Sequence, residues 1–340
     1  MYIIKTIINP IQQHLDKAAS KGYLDSINGT STDSLIDGKM KMGQLVSAIG
    51  STNSNVIVLS IGVGQGEELH ALRILLGPNA RIIGLDISKA ALTRTAERSK
   101  IFDLNLELIE SDACNIPLDC ASVDAVVMSS VLHEIYSYNL PNGTDAYKRA
   151  VLEAGRVLNI NGILYIRDFG TPTPEDPVKL QPISKDAKDF YDYFLTNFSV
   201  GLDDNIYDRI KIDTYGRLIK TADLSQILMH FRHFWNDRSK GHVELGDLEW
   251  KELCESYVIP NPLIDGQSMD PLTLCDDIMN ILNDSKYGFE PIEISIKHRR
   301  KVNMFLTDHF RIITGIGTDS TARLLPLATS KFEASFRKTN

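Results

Sequence analysis

Between about residues 55 and 168, short apolar runs of β type alternate with segments of helical periodicity. Val56-Ile57-Val58-Leu59-Ser60-Ile61 ends in glycines. Arg81 to Asp86, Leu106 to Glu110, Val123 to Met128 and Gly162 to Arg167 follow as four more strand-type runs. Between them, Glu67 to Leu76 places Leu69, Leu72, Leu75 and Leu76 on one side of a helix. Lys89 to Lys100 follows Ser88, a plausible cap, and Tyr147 to Val157 makes a further helix. Strands that are nearly continuously apolar must be covered on both faces. The pattern therefore predicts an α/β fold, with a doubly wound, mostly parallel sheet between two layers of helices.

The flanks are less regular. Residues 1–50 read as an N-terminal helical cap, with Leu15, Leu24, Leu35, Met40, Met42 and Leu45 as its apolar positions and a break over residues 28–33. Residues 51–170 make the core. Residues 171–288 begin with the proline-rich linker 171–177 and continue, from about 183 to 285, as a mostly helical insertion placed before the last two strands. Residues 289–340 supply the closing strands and a tail: Glu290 to Ile296 alternates like a strand, and Phe310 to Gly315 is a candidate hairpin partner.

The net charge of −8 speaks against a polyanionic partner. Most of the excess lies in residues 170–290, which carry roughly ten more acids than bases. The basic run Lys297-His298-Arg299-Arg300-Lys301 reads as a solvated turn between strands. Four scattered cysteines form neither a CxxC pair nor a zinc-type cluster, which suits a reducing compartment. The apolar N-terminus is short and closed by Pro10, and no run approaches the roughly 18 apolar residues of a membrane span. The expected location is the cytoplasm.

Four elements carry chemistry. The first is Ile61-Gly62-Val63-Gly64-Gln65-Gly66-Glu67-Glu68, a glycine turn between a strand and a helix, where backbone N–H groups can face a ligand. A dinucleotide fingerprint needs GxGxxG, and two glutamates in the first helical turn would repel a pyrophosphate. A sulfonium cofactor raises no such objection. The second element is Asp86, at a strand tip about 20 residues beyond the glycines, where a carboxylate can accept both hydroxyls of a ribose. The third is Glu110-Ser111-Asp112-Ala113, followed by Ile116-Pro117-Leu118, an acid that can accept from an adenine amino group beside apolar side chains. The fourth runs from Ser122 through Ser129 to His133 and Glu134 and enters the cleft at the carboxyl ends of the strands.

In this order and spacing the four elements resemble class I, seven-stranded S-adenosylmethionine-dependent methyltransferases, over roughly residues 50–168. The resemblance implies S-adenosylmethionine as cofactor, held by Ser60, Gly62, Gly64, Gln65, Gly66, Asp86, Ile87, Asp112, Ala113 and Ser129. Asp86 would hold the ribose and Asp112 with Ala113 the adenine, while Ser129 would line the opposite wall. Members of the family usually carry an acid two residues before the first glycine, near the cofactor's ammonium group, and here Ser60 stands there. Three explanations stay open: a hydroxyl and backbone carbonyls suffice, Glu67 or Glu68 compensates, or cofactor affinity is weak.

Methyl transfer to a good nucleophile needs in-line positioning and requires a base only when the acceptor must lose a proton. His133 and Asp168 are the candidate catalytic residues, with Glu134 and Tyr136 behind them. Arg167 and Asp168 either orient an acceptor or pair with each other. The aromatic runs 190–194 and 230–235 read as core or as an acceptor pocket. His230, His233, His242 and Glu244 read as ordinary histidines and an acid rather than metal ligands, so no metal is expected. The sequence thus points to a methyltransferase acting on a small-molecule or peptide acceptor, with nucleic acid and membrane as unfavoured partners. A catalytically inactive scaffold of the same fold and an RNA methyltransferase are the alternatives.

Overall fold

The five apolar runs become five neighbouring strands in the computed structural model of the chain: β1 (Ile57–Ile61), β2 (Arg81–Asp86), β3 (Glu107–Glu110), β4 (Val123–Ser129) and β5 (Leu158–Gly170). The structure describes residues 42–50, 55–64, 66–101, 104–132, 134–135, 139, 143–170, 178–185, 187–188, 211–213, 216–219, 271–284, 286–298, 309–314 and 330–340. The chain divides into two compact units. One comprises Met1–Arg167, Ile278–Ile294 and Glu333–Asn340, and the other Asp168–Asp277 and Ser295–Phe332.

The first unit is built on a seven-stranded sheet. A short helix α1 (42–49) precedes β1, and α2 (Glu67–Leu76), α3 (Lys89–Ile101) and α4 (Gly143–Val157) connect the strands that follow. Pairing is parallel between β1 and β2, β2 and β3, β1 and β4, and β4 and β5. With the later strands β9 (Phe289–His298) and β11 (Ser330–Lys338), the sheet order is β3-β2-β1-β4-β5-β11-β9. The chain reverses direction across the sheet between β1 and β4, and the carboxyl ends of these two strands frame the crevice where open α/β sheets take their ligands.

One face of the sheet packs Val58, Ile82, Ala125, Val127, Ile163 and Tyr165 against Met42 and Leu45 of α1 and Leu69, Leu72 and Leu76 of α2. The i, i+3, i+7 spacing of those α2 leucines puts them on one stripe, and burial of that stripe fixes the helix against the sheet. At the other end of the strands, the Asp124 carboxylate accepts the Ile57 N–H at 2.8 Å and the Asn159 side-chain amide at 2.8 Å. Asp124 therefore pins the amino ends of β1, β4 and β5 together and serves the sheet, not the crevice.

Two expectations are corrected at the C-terminal end. Phe310 to Thr314 (β10) does form a strand, but it pairs antiparallel with β6 (Val178–Pro182) rather than with Glu290 to Ile296. The seventh strand of the large sheet is β11, which the sequence reading left as a tail. Two of its buried charged side chains are satisfied inside: Arg167 pairs with Glu333 at 3.1 Å, and buried Lys338 donates to the carbonyls of Gly155 (2.9 Å) and Leu158 (2.7 Å). The Lys338 ammonium also lies 4.4 Å from the centre of the Tyr287 ring.

The second unit contains a four-stranded sheet in the order β10-β6-β8-β7, where β7 is Lys211–Asp213 and β8 is Gly216–Ile219. This region was expected to be mostly helical. The described residues give it three strands besides β10, and the first half of the helix α5 (Pro271–Asp284). The linker 171–177, the aromatic runs 190–194 and 230–235, and His230, His233, His242 and Glu244 lie outside the described residues, as does most of the N-terminal segment. Lys297 and His298 belong to β9, while Arg299, Arg300 and Lys301 also lie outside. Among the described residues no helix is long and apolar enough to cross a membrane.

Candidate cofactor site

The glycine turn owes its shape to three residues with positive φ: Gly62 (+73°), Gly64 (+51°) and Gly66 (+79°). L residues with a side chain visit this region at a cost, which is what the glycines avoid. Two of the three also lack room for a side chain. A Cβ on Gly62 would lie 2.5 Å from Val131 Cγ2, and one on Gly66 would lie 2.7 Å from Thr95 Cγ2. A Cβ on Gly64 would meet nothing within 4 Å among the described residues. The turn is thus closed against protein at both ends and open in the middle, as a cradle for a ligand must be. Thr95 of α3 braces it further, donating its hydroxyl to the Gly64 carbonyl at 3.1 Å. Gln65 lies outside the described residues.

Asp86 stands at the tip of β2, with β2 and β1 in register. Its carboxylate accepts the N–H of Gly64 at 3.1 Å on one oxygen and the N–H of Ser88 at 2.9 Å on the other. Ile87 and Val63 contribute further backbone bonds. Burial nevertheless dominates and raises the Asp86 carboxyl above the usual carboxylate range. Ser88 caps α3 as expected, its hydroxyl accepting the Ala91 N–H at 3.2 Å. The glycine turn and the β2 tip are therefore one rigid corner, held by backbone donors that any sequence supplies once the chain turns here.

The third element forms a loop beside Asp86. The Ser111 N–H donates to the Asp86 carbonyl at 3.0 Å. The exposed Asp112 accepts the Cys114 N–H at 2.8 Å, which turns the chain and leaves Ala113 buried. This loop is clamped from α4. Glu153 accepts the Ile116 N–H at 3.0 Å, and Arg156 donates to the carbonyls of Ile116 (2.7 Å) and Leu118 (2.8 Å). Arg156 and Glu153 bond to each other at 2.8 Å, an arrangement that holds the Glu153 carboxyl low. Sequence reasoning missed this clamp; the only signal was a glutamate and an arginine three apart on a helix. Cys114 donates to the Ala146 carbonyl and is pushed up to about 12 by burial, so its thiol is not a nucleophile.

Ser129 ends β4 and donates its hydroxyl to Glu68 Oε1 at 2.5 Å, joining β4 to the first turn of α2 across the β1/β4 crevice. Its neighbour Ser130 has φ +56° and donates its N–H to the Arg167 carbonyl at 2.6 Å, ending the strand sharply. Glu67 is turned elsewhere and pairs with Arg98 of α3 at 3.5 Å. Ser60 is buried, and its hydroxyl has no hydrogen-bond partner among the described residues.

The catalytic candidates fare differently. His133 and Tyr136 lie outside the described residues, and Glu134 is half-buried just after Leu132. Asp168 is fully buried near the end of β5 and falls in the second unit. Arg167 is the other residue at this rim. It stands in register with Ser129, and its guanidinium goes to Glu333, a partner that became visible only once β11 was in the sheet.

Comparison with known proteins finds methyltransferases. A family model described as a methyltransferase domain matches residues 52–206. The demethylmenaquinone methyltransferase of Staphylococcus carnosus is 29% identical over 34% of this chain and 44% of its own length. The chloroplastic 2-phytyl-1,4-beta-naphthoquinone methyltransferase of Arabidopsis thaliana is 32% identical over 33% of this chain and 41% of its own. The chain thus spans less than half the length of either relative. A solved SAM-dependent methyltransferase from Aquifex aeolicus superposes with a TM-score of 0.36 at 22% identity, over 46% of this chain and 76% of that one. The segment that matches the methyltransferase-domain model holds the corner made by the Gly62–Gly66 turn, Asp86 and Asp112, and this part of the chain is similar to methyltransferases.

Proposed function

We propose that the protein transfers a methyl group from S-adenosylmethionine to a small-molecule acceptor. One observation carries this reading: a buried carboxylate, Asp86, is fastened by the backbone of a glycine turn whose central residue borders open space. Asp86 would take the paired ribose hydroxyls, and Asp112 with Ala113 and Ile116 would take the adenine. The turn and Ser129 would flank the methionyl part, with Ser60, Gln65 and Ile87 at the margins. A pyrophosphate would meet Glu68 at the same helix end, which disfavours a nicotinamide dinucleotide.

The acceptor is proposed from two supports. Both named relatives are methyltransferases of naphthoquinone-type compounds, which makes an aromatic, largely apolar acceptor the first class to test. The acidic balance of the chain makes a phosphate-rich acceptor unfavourable, so RNA ranks below a small molecule or a peptide. When the acceptor is a hydroxyl, a proton must leave, and His133 and Asp168 are proposed as the groups to receive it. We place the protein in the cytoplasm on its free cysteines and on the absence of a spanning helix among the described residues.

The test is transfer of a labelled methyl group from S-adenosylmethionine to reduced naphthoquinones and benzoquinones, with short peptides and RNA in parallel. Label in a quinol product supports the reading; label in RNA alone contradicts it. A second reading, a methyltransferase fold that binds a partner without catalysis, is favoured by the orphaned Ser60 hydroxyl. Cofactor binding without transfer to any of these acceptors would favour that reading.

A further inference from the structure

The two edges of the seven-stranded sheet are finished differently. β3 is four residues long, and Glu107 at its start is tied to Arg81 by hydrogen bonds of 2.6 and 2.7 Å. A short, charged edge of this kind resists pairing with another chain. β9, at the other edge, has ten residues, and no strand lies beyond it among the described residues. Its middle is open to solvent: Ile292 is 41% and Ile294 46% exposed, and Glu293 between them is exposed too. Pro291 has no N–H to offer a neighbour, but it guards only the amino end of the strand.

The sequence of β9 indicates what fits against it. Acids stand in its first half, Glu290 and Glu293, and bases begin in its second half with Lys297. Laid antiparallel on a second copy of itself, such a strand brings acids to bases on both sides of the centre. A two-fold axis normal to the sheet keeps every residue on its own face, so the axis must pass through a residue position. Centring on Glu293 opposes two glutamates, which repel. Centring on Ile294 brings Pro291 inside the paired stretch. Centring on Ser295 pairs residues 292–298 with each other, leaves Pro291 outside and sets position 293 opposite position 297 twice. It also sets Ser295 against its own copy. The Ser295 hydroxyl oxygen is buried without a hydrogen-bond partner among the described residues, and a hydroxyl opposite its twin can donate or accept.

We propose that two copies of this chain associate through β9, paired antiparallel about Ser295, so that their seven-stranded sheets continue into one another. The pairing forms about six to eight backbone hydrogen bonds over residues 292–298. It covers Ile292 and Ile294 and sets each Glu293 opposite the partner's Lys297. One strand pair is a small interface, so the association depends on protein concentration. This pairing does not depend on which cofactor the chain binds.

The test is sedimentation equilibrium of the full chain over a range of concentrations, with a thermal melt of each variant to confirm folding. The wild type is expected to approach twice the 38.0 kDa of one chain. Glu293→Lys opposes lysines on both sides of the axis, and Lys297→Glu opposes glutamates. Each should raise the dimer dissociation constant by about ten- to a hundredfold, since two pairs turn from attraction to repulsion. The double variant Glu293→Lys/Lys297→Glu restores opposite charges and should return to within about threefold of the wild type. Ile294→Lys places a charge at an exposed position of the edge and should raise the constant by at least about tenfold. A wild type that keeps the mass of one chain at every concentration overturns the proposal. So does a dimer that both single charge variants leave unchanged, or one that the double variant fails to restore. A mass that climbs beyond two chains reveals an open, head-to-tail contact and overturns it as well.

Discussion

The two ends of the crevice are built on different principles. At the end proposed for the ribose, Asp86 is held by backbone N–H groups, those of Ser88 two residues on and of Gly64 in the turn after the neighbouring strand β1. At the end proposed for the methionyl part, the decisive contact joins the side chains of Glu68 and Ser129, 61 residues apart. The first uses backbone donors, which the turns supply whatever their side chains; the second needs two particular side chains, brought together because β1 and β4 lie side by side. A site can thus be rigid for one half of its ligand by backbone geometry and for the other half by tertiary packing. The first half tolerates little change at its glycines, while the second depends on which side chains meet across the strands.

The sharpest way to break this contrast is to remove the backbone-held anchor. Asp86→Ala should lower affinity for S-adenosylmethionine by at least about a hundredfold, because two hydroxyls lose a charged acceptor worth about 1.5–3 kcal/mol each. Calorimetry checks it, with a thermal melt to confirm folding. The next largest effect separates the glycines. Gly62→Ala places a Cβ on Val131 at positive φ and should cost about 2–4 kcal/mol in urea unfolding. Gly64→Ala meets only open space and should cost about 1 kcal/mol, yet weaken cofactor binding more than tenfold, since its methyl group would occupy ligand space. Equal stability losses for the two would contradict the closed-ends, open-middle description of the turn.

Arg156→Met comes third. It removes donors to the Ile116 and Leu118 carbonyls on a partly exposed side chain, so about 2 kcal/mol of stability is the expected loss. Looser adenine contacts should raise the cofactor dissociation constant for S-adenosylhomocysteine and methylthioadenosine alike, since both carry the adenine. The smallest effect is one of pH. Because burial raises the Asp86 carboxyl, the native state binds its proton more tightly than the unfolded chain does. The Asp86 contribution to stability is therefore full below the ordinary carboxylate value and declines as pH rises through the raised one. Cofactor affinity should move the other way over the same window, since only the ionised form accepts both hydroxyls. Opposite slopes, both flattened in Asp86→Asn, check this.

How much was legible follows from the same contrast. The five strands, the glycine turn, Asp86 and the Asp112 loop were readable because each is set by residues within a few positions of one another. The helix over Glu67 to Leu76 was readable from its leucine stripe. β11 was not. Its buried positions include Glu333 and Lys338, charged residues that hydropathy assigns to the surface. They are tolerated inside only because Arg167 and the Gly155 and Leu158 carbonyls meet them. Phe310 to Thr314 read correctly as a strand and wrongly as a partner of β9, since alternation fixes a strand and says nothing of its neighbour. Glu68 was visible as one of two equal glutamates, and Arg98 and Ser129, distant in sequence, tell the pair apart.

The central claim is that the Gly62–Gly66 turn and Asp86 bind S-adenosylmethionine. It is tested most directly by calorimetric titration of the wild-type protein with S-adenosylmethionine, S-adenosylhomocysteine and NAD. Saturable 1:1 binding of both sulfur ligands, with no heat from NAD, is the predicted result. Binding of NAD without the sulfur ligands, or no binding of any of the three, would contradict it.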